Sequence, residues 1–164
     1  MILAIRNTQR AIRIDVRLLR EVALHLLREE LQVEEAEMAI HLVGPRAMAR
    51  VNQGFLGHEG PTDVITFDHS PRPPRRPTHL RRLEGELYIC PEVARLQARE
   101  FATCWQEELA RYVAHGMLHL CGHDDLRPAA RVVMKREENR LVRRLAARFR
   151  LERLQRRATP GTKG

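Results

Sequence analysis

The sequence predicts an α+β fold: a single domain with a mixed sheet of about four strands packed with helices, and a metal site at the end of a core helix. Two patterns support this class. Short β-compatible runs alternate with amphipathic segments along the 164 residues, a length that fits one domain. The segment Trp105–Leu120 has helical periodicity and runs into a cluster of metal-ligand residue types. We predict one domain over residues 1–154 and a flexible basic tail over residues 155–164.

The first half of the chain alternates between strand and helix patterns. Residues 1–6 are short, apolar and β-compatible, and Asp15 is suited to cap a helix that runs to about Leu31. Residues 37–43 alternate toward apolar and predict a second strand. Residues 46–52 then predict a short helix.

The second half repeats this alternation and ends in a longer helix. Residues 64–67 are β-branched and aromatic and predict a third strand, and residues 84–89 predict a fourth. Pro91 favours the start of another helix. Residues 131–155 predict a long amphipathic helix. Its predicted inward residues are Met134, Leu141, Leu145 and Phe149.

The net charge of +8 is unevenly distributed. Residues 127–157 contain twelve Arg or Lys against three Glu, a balance of +9 that leaves the remainder at −1. Such a region is typical of a polyanion-binding surface, and it is also what a solvated helix face looks like.

Residues 70–82 contain four prolines and five arginines without an acidic residue. They cannot hold a regular helix or a central strand, so they predict an exposed loop between the third and fourth strands. This loop either contacts RNA or is a solvated linker. The arginines predicted to bind RNA are Arg72, Arg75, Arg76 and Arg50.

The three cysteines, Cys90, Cys104 and Cys121, have no paired spacing, and the first residues are too short an apolar run for a signal peptide or a membrane span. These features predict a protein of the reducing cytoplasm with no membrane partner. They make no prediction about oligomeric state.

A metal-binding pattern follows the helix at Trp105–Leu120. His115 and His119 are four residues apart, so both imidazoles project from one helix face. Gly122 can adopt positive φ and fold the chain back, which brings Asp125 into register as a third ligand. Three ligands leave one position of a zinc ion open, as at catalytic sites. His123 would lie ~12 Å from His115 along an unbroken helix, which places it beside the site.

These residues resemble the YbeY family, bacterial zinc-dependent endoribonucleases that mature ribosomal RNA and take part in ribosome quality control. The family signature is H-G-x-L-H-L-x-G-Y-D-H. The matching residues are His115, Gly116, Leu118, His119, Leu120, Gly122 and Asp124. The aromatic residue of the signature is His123 here, and its third histidine ligand is Asp125. A carboxylate oxygen is also an accepted zinc ligand.

The resemblance extends over roughly residues 2–145. Asn52, Phe55 and residues 61–67 are similar to the signature L-N-x-x-[FY]-R-x-x-x-x-P-T-[DN]-V-L-S-F, and residues 85–89 resemble G-D-I-x-I. The arginine of that signature falls at Leu56, which can neither carry charge nor donate a hydrogen bond. If the position matters, Arg50 or Arg46 must take its place.

The resemblance implies a zinc-dependent, single-strand-specific endoribonuclease with one Zn²⁺ ion, acting in the cytoplasm on RNA, in particular rRNA or the small ribosomal subunit. The residues expected to carry catalysis are His115, His119, Asp125 and Asp124, the first three as metal ligands. Asp124, Asp63 and His123 all stay open as the general base, although Asp124 could instead orient a ligand.

Two other functions compete with this prediction. A metallopeptidase of the H-E-x-x-H kind needs a glutamate after its first histidine, and Gly116 stands there instead. The second alternative is a catalytically weakened, zinc-anchored protein that binds RNA or the ribosome, because Leu56 and Asp125 replace an arginine and a histidine.

Overall fold

The structure, a computed structural model, describes residues 1–57, 60, 62–71 and 82–156. In that part of the chain, four strands form one mixed sheet in the order β1-β2-β4-β3. The strands are β1 (Ile2–Asn7), β2 (Glu35–Leu42), β3 (Val64–Asp68) and β4 (Arg82–Ile89). β1, β2 and β4 are parallel, and β3 runs antiparallel to β4. The predicted α+β class and the four-stranded mixed sheet are confirmed.

Five α-helices pack with this sheet in the described residues. They are α1 (Val16–His25), α2 (Pro45–Val51), α3 (Pro91–Glu100), α4 (Trp105–Leu120) and α5 (Pro128–Arg148). Single π-helical turns extend α1 over Leu26–Glu30 and α2 over Asn52–Leu56, and a 3₁₀ turn covers Leu151–Leu154. The predicted cap of α1 is confirmed, since the Asp15 carboxylate accepts hydrogen bonds from the amides of Arg17 and Leu18 at 3.0 and 3.1 Å. Among the described residues, no helix has the length and apolar character needed to cross a membrane.

The predicted helix over residues 131–155 is wrong at both ends. α5 starts earlier, at Pro128, and it stops at Arg148 because Phe149 adopts an extended backbone. The chain then turns back and buries Leu151 and Leu154 in the core. Those two leucines have a three-residue spacing that a helix and a 3₁₀ turn share, so the apolar pattern could not reveal the break.

The predicted inward face of α5 is confirmed in its first three members, which are buried. Phe149 lies beyond the helix and packs edge-on against His25, with ring centroids 5.4 Å apart. Gln155 and Arg156, which the prediction assigns to the tail, are paired with the N-terminal segment by an antiparallel bridge to Ile14 and a hydrogen bond to Arg13. Residues 157–164 of that tail lie outside the described residues.

Helix α4 is the centre of the fold, and glycine allows it to approach the sheet closely. A Cβ at Gly116 would come within 2.6 Å of the Leu87 side chain on β4. At Gly85 a Cβ would meet the Phe67 carbonyl at 2.5 Å and the Leu120 side chain at 2.8 Å. Because neither position has room for a side chain, α4 lies directly on β4, with its carboxyl end near Gly85.

Glu30 is expected to make the free energy of unfolding depend on pH in the acidic range. Its side chain is 3% exposed, and its carboxylate lies 2.6 Å from Nε of Arg144 and 3.4 Å from Nε2 of His25. Burial opposes ionisation, but the hydrogen bond and charge of Arg144, aided by His25, outweigh burial and lower the pKa of Glu30 below its ordinary 4.5. A carboxyl whose pKa is lower in the folded than in the unfolded protein contributes stability at pH values above its unfolded-state pKa. This contribution is lost as the pH falls through its folded-state pKa.

We therefore expect Glu30→Gln to lower the free energy of unfolding at neutral pH, with the deficit shrinking progressively below about pH 4.5. Urea unfolding of both proteins across this pH range measures the difference. Glu29→Gln is the matched control, because Glu29 is exposed and forms no ion pair with a described residue. A deficit that stays constant into acid would contradict the expectation.

Candidate metal centre

The turn after α4 returns the chain toward the two histidines. Gly122 has φ +93°, a backbone conformation that residues other than glycine rarely adopt. The Gly122 amide donates to the carbonyl of His119 at 2.9 Å, and the His123 amide donates to that of Leu118 at 3.0 Å. The predicted turn is confirmed, and its effect is to place Asp125 opposite the helix face that carries His115 and His119.

Three potential ligand atoms converge at this point. The Nε2 atoms of His115 and His119 are 3.0 Å apart. Oδ2 of Asp125 lies 3.7 Å from the first and 3.6 Å from the second. Within the described residues, no other set of three His, Cys, Asp or Glu side chains brings its ligand atoms within 4.8 Å of one another.

Hydrogen bonds on the far side of each ring determine which nitrogen faces the centre. Nδ1 of His115 is 2.5 Å from Oε1 of Glu138, and Nδ1 of His119 is 3.0 Å from the carbonyl oxygen of His123. Both partners accept hydrogen bonds, so each Nδ1 carries the proton and each Nε2 presents a lone pair. Two lone pairs and a carboxylate facing one point would repel one another without a cation between them.

The spacing of these atoms fits a small divalent ion. Ligand atoms at ~2.0–2.1 Å from a tetrahedral zinc lie ~3.3 Å from each other. The three observed separations, from 3.0 to 3.7 Å, bracket that value. The group His115, His119 and Asp125 could therefore hold a metal ion.

Glu138 is the buried partner of this centre. It is 5% exposed, and its second carboxylate oxygen lies 3.6 Å from Nζ of Lys135 and 3.7 Å from Nη1 of Arg111. Burial alone would lower the pKa of His115, but the hydrogen bond and charge of Glu138 outweigh it and raise that pKa. Burial would likewise raise the pKa of Glu138, and the hydrogen bond to His115 with the neighbouring charges lowers it. Glu138 is thus an ionised hydrogen-bond acceptor that orients His115.

A family model described as Endoribonuclease YbeY matches residues 4–146. The chain belongs to the YbeY endoribonuclease family. Proteins named Endoribonuclease YbeY are 35% identical in Chlorobium phaeobacteroides, over 77% of this chain and 86% of the relative, and 32% identical in Salinibacter ruber, over 79% and 82%. A solution structure of TM1509 from Thermotoga maritima aligns with TM-score 0.64 at 24% identity, covering 99% of this chain and 100% of the other, and shares the fold.

Three other residues that the YbeY signatures single out are not among the three that converge. Asp124 is exposed, and its carboxylate accepts a hydrogen bond from the Leu126 amide at 3.0 Å. His123 lies beside the site, as predicted, and contributes its backbone carbonyl. Leu56, where the family has arginine, ends the turn after α2 and is 49% exposed.

One of the four predicted RNA-binding arginines lies within the described residues. Arg50 is exposed on α2 and makes no ion pair with a described residue. The predicted residues Arg72, Arg75 and Arg76 lie outside the described residues. Their role stays a prediction.

Two residues of the site were not predicted from the sequence. Glu138 interrupts the apolar face of α5, four residues after Met134 and three before Leu141, and a buried acid at such a position is a usable signal. Arg131 donates from Nε to the backbone carbonyl of Asp125 at 3.1 Å. Nothing in its spacing distinguishes it from the other arginines of α5, so only the structure identifies it as the arginine beside Asp125.

Proposed function

We propose that this chain is a zinc-dependent endoribonuclease that cleaves single-stranded RNA in the cytoplasm, with rRNA or the small ribosomal subunit as its target in rRNA maturation and ribosome quality control. The convergence of two Nε2 lone pairs and the Asp125 carboxylate on one point carries the proposal. Membership of a family whose curated relatives are named endoribonucleases supports RNA as the substrate. Zinc is proposed from the donor set of two imidazoles and one carboxylate.

The proposed ligands are His115, His119 and Asp125. When bound, the ion would supply Lewis acidity toward a phosphoryl oxygen and would lower the pKa of water. The chain itself maintains the two histidines in the correct tautomer: Glu138 keeps a proton on Nδ1 of His115, and the His123 carbonyl does so for His119.

Other side chains are suited to handle charge and protons near the ligands. Arg131 places a guanidinium next to Asp125, where it could stabilise negative charge that develops on a phosphodiester. Asp63 lies close enough for its charge to raise the pKa of His115, and Asp124 is adjacent to the third ligand. Asp63 and Asp124 are the proposed candidates for accepting a proton during hydrolysis.

Cleavage of an unstructured RNA tests this function directly. The purified protein should contain zinc by elemental analysis and should cut single-stranded RNA in preference to the same sequence annealed to its complement. Chelation and His119→Ala should both abolish cleavage. If metal-loaded wild type cleaves RNA no faster than His119→Ala does, the proposed enzymatic function is wrong.

A zinc-anchored RNA- or ribosome-binding protein is the second candidate, and the specific observation in its favour is Leu56. A position that holds arginine in the family signature here offers no charge to a transition state. Arg131 beside the site offers another positive charge, so the replacement of the signature arginine by Leu56 does not remove all positive charge from the site.

Leu56→Arg is expected to raise RNA cleavage without changing zinc content. Single preorganised donors contribute roughly a hundred- to a thousandfold to rate, which sets the upper limit of the gain. Rates of wild type, Leu56→Arg and Leu56→Gln on one unstructured RNA measure it, with glutamine as a control for polarity without charge. No cleavage by any of the three, with zinc bound in all of them, would favour the binder.

A further inference from the structure

The chain continues past the family match and closes over its own N-terminal segment. The family model ends at residue 146. After it, Leu151 and Leu154 are buried, and the Leu154 carbonyl accepts a hydrogen bond from the Asp15 amide at 2.8 Å. The Arg156 amide donates to the carbonyl of Arg13 at 2.9 Å. These contacts hold two arginine-rich segments side by side.

The two segments enclose a concave surface. It consists of two adjoining hollows, of about 490 and about 430 Å³, which share Arg156 in their walls. We name this surface the arginine groove. Its defining residues are Arg10, Arg13, Arg150, Arg153 and Arg156.

The arginine groove carries an excess of positive charge. Its acidic residues are Asp15 and Glu152, against five arginines. The Asp15 carboxylate is already engaged in capping α1. None of the five arginine side chains forms an ion pair or donates a hydrogen bond to any residue that the structure describes. By contrast, Arg140 and Arg144 on α5 both bind the Glu30 carboxylate.

The arginine groove is separate from the metal centre. Asn7, in its wall, is the last residue of β1 and lies level with Ile89, the last residue of β4. The ligand His119 precedes Leu120, which packs near Gly85, four residues before Ile89. The other ligand, His115, precedes Gly116, which packs on Leu87 of β4 and Thr66 of β3. Asn7 is on β1, two strands from β4 and at the opposite edge of the sheet from β3. The groove and the ligands thus lie roughly 10–14 Å apart across the strands.

We propose that the arginine groove binds the sugar–phosphate backbone of single-stranded RNA at a distance from the metal centre. The proposal rests on the proposed function insofar as RNA is the substrate. Guanidinium groups grip phosphate oxygens with two parallel hydrogen bonds, and five unpaired ones in a concave surface match a flexible polyanion. The groove has no aromatic side chain in its walls, so it offers phosphate contacts without base stacking.

Such a groove should raise the affinity for long RNA substrates and leave the affinity for short ones unchanged. An RNA that reaches both sites gains affinity from the groove phosphates, whereas a dinucleotide, whose single phosphodiester lies at the metal centre, has no phosphate left for the groove. The groove variant, Arg150→Gln with Arg153→Gln and Arg156→Gln, removes three of the five charges. The matched control removes three exposed or half-exposed charges elsewhere: Arg28→Gln, Arg95→Gln and Arg99→Gln.

Affinity for a long single-stranded RNA is measured under chelation, so that binding is read without cleavage. Relative to the control, the groove variant should bind on the order of tenfold more weakly at low salt, and the slope of log affinity against log salt should fall by about 2, at ~0.7 for each lost phosphate contact. Single-stranded DNA of the same sequence should lose the same factor, because the phosphates are common to both. Zinc content and thermal unfolding should match those of wild type, and cleavage of a dinucleotide, where wild type cleaves it, should be unchanged.

Three results would overturn the groove assignment. RNA affinity and salt slope equal to those of the control would remove the groove from the interface. A loss restricted to RNA would exclude recognition through the phosphates, which RNA and DNA share. Binding of wild type to anionic lipid vesicles that the groove variant loses, at unchanged RNA affinity, would assign the groove to a lipid surface. If wild type fails to cleave any RNA, the proposed function fails, while the binding measurements still decide the groove.

Discussion

Asp125→Ala is expected to release the metal under mild chelation and to abolish RNA cleavage, whereas His123→Ala should retain both. Oδ2 of Asp125 is the only carboxylate oxygen among the described residues that completes the triangle with the two Nε2 atoms. Loss of a direct ligand should lower metal affinity by more than the ten- to hundredfold typical of an outer partner. His123 contributes a backbone carbonyl, which alanine preserves. Elemental analysis after dialysis and cleavage of an unstructured RNA measure the two effects.

Asp125→His is the matched control for this experiment, because it restores the third histidine of the YbeY signature and leaves a ligand at the same position. It should hold the metal. Retention of metal by Asp125→Ala together with its loss in His123→Ala would assign the third ligand to His123 instead.

Glu138→Gln should lower metal affinity by roughly ten- to a hundredfold, although Glu138 is not one of the three proposed ligands. The charge of its carboxylate raises the pKa of His115, and its oxygen holds the proton on Nδ1. A glutamine removes the charge, and its amide N–H can donate to Nδ1. That donation would place the ring proton on Nε2, the atom that faces the centre.

Competition with a metal indicator measures this loss, and Glu137→Gln is the control. Glu137 is the neighbouring residue on α5, and it forms an ion pair with Arg140 at 2.9 Å without contact to either histidine. Its substitution should leave metal affinity unchanged. Equal losses in the two variants would show a general effect of charge on α5, and no loss in Glu138→Gln would remove its positioning role.

The local parts of this fold follow from sequence patterns, and the long-range parts do not. The cap at Asp15, the helix Trp105–Leu120 and the glycine turn at Gly122 depend on residues a few positions apart, so their spacing alone predicted them. The end of α5 at Arg148 was missed because Leu151 and Leu154 continue an apolar spacing. Their burial in the core, which decides the break, depends on the distant segment around Ile14.

The same division applies to the candidate centre. The sequence by itself determined that His115, His119 and Asp125 come together, because all three lie on one helix end and its turn, where backbone geometry sets which side chains face each other. Only the tertiary structure could decide that Glu138 and Arg131, on a different helix, reach the histidine and the turn. Packing of α5 against α4 brings together residues whose separation in the chain carries no periodic signal. For this reason the candidate ligands can be predicted from spacing, while the residues that contact and orient them depend on how the helices pack.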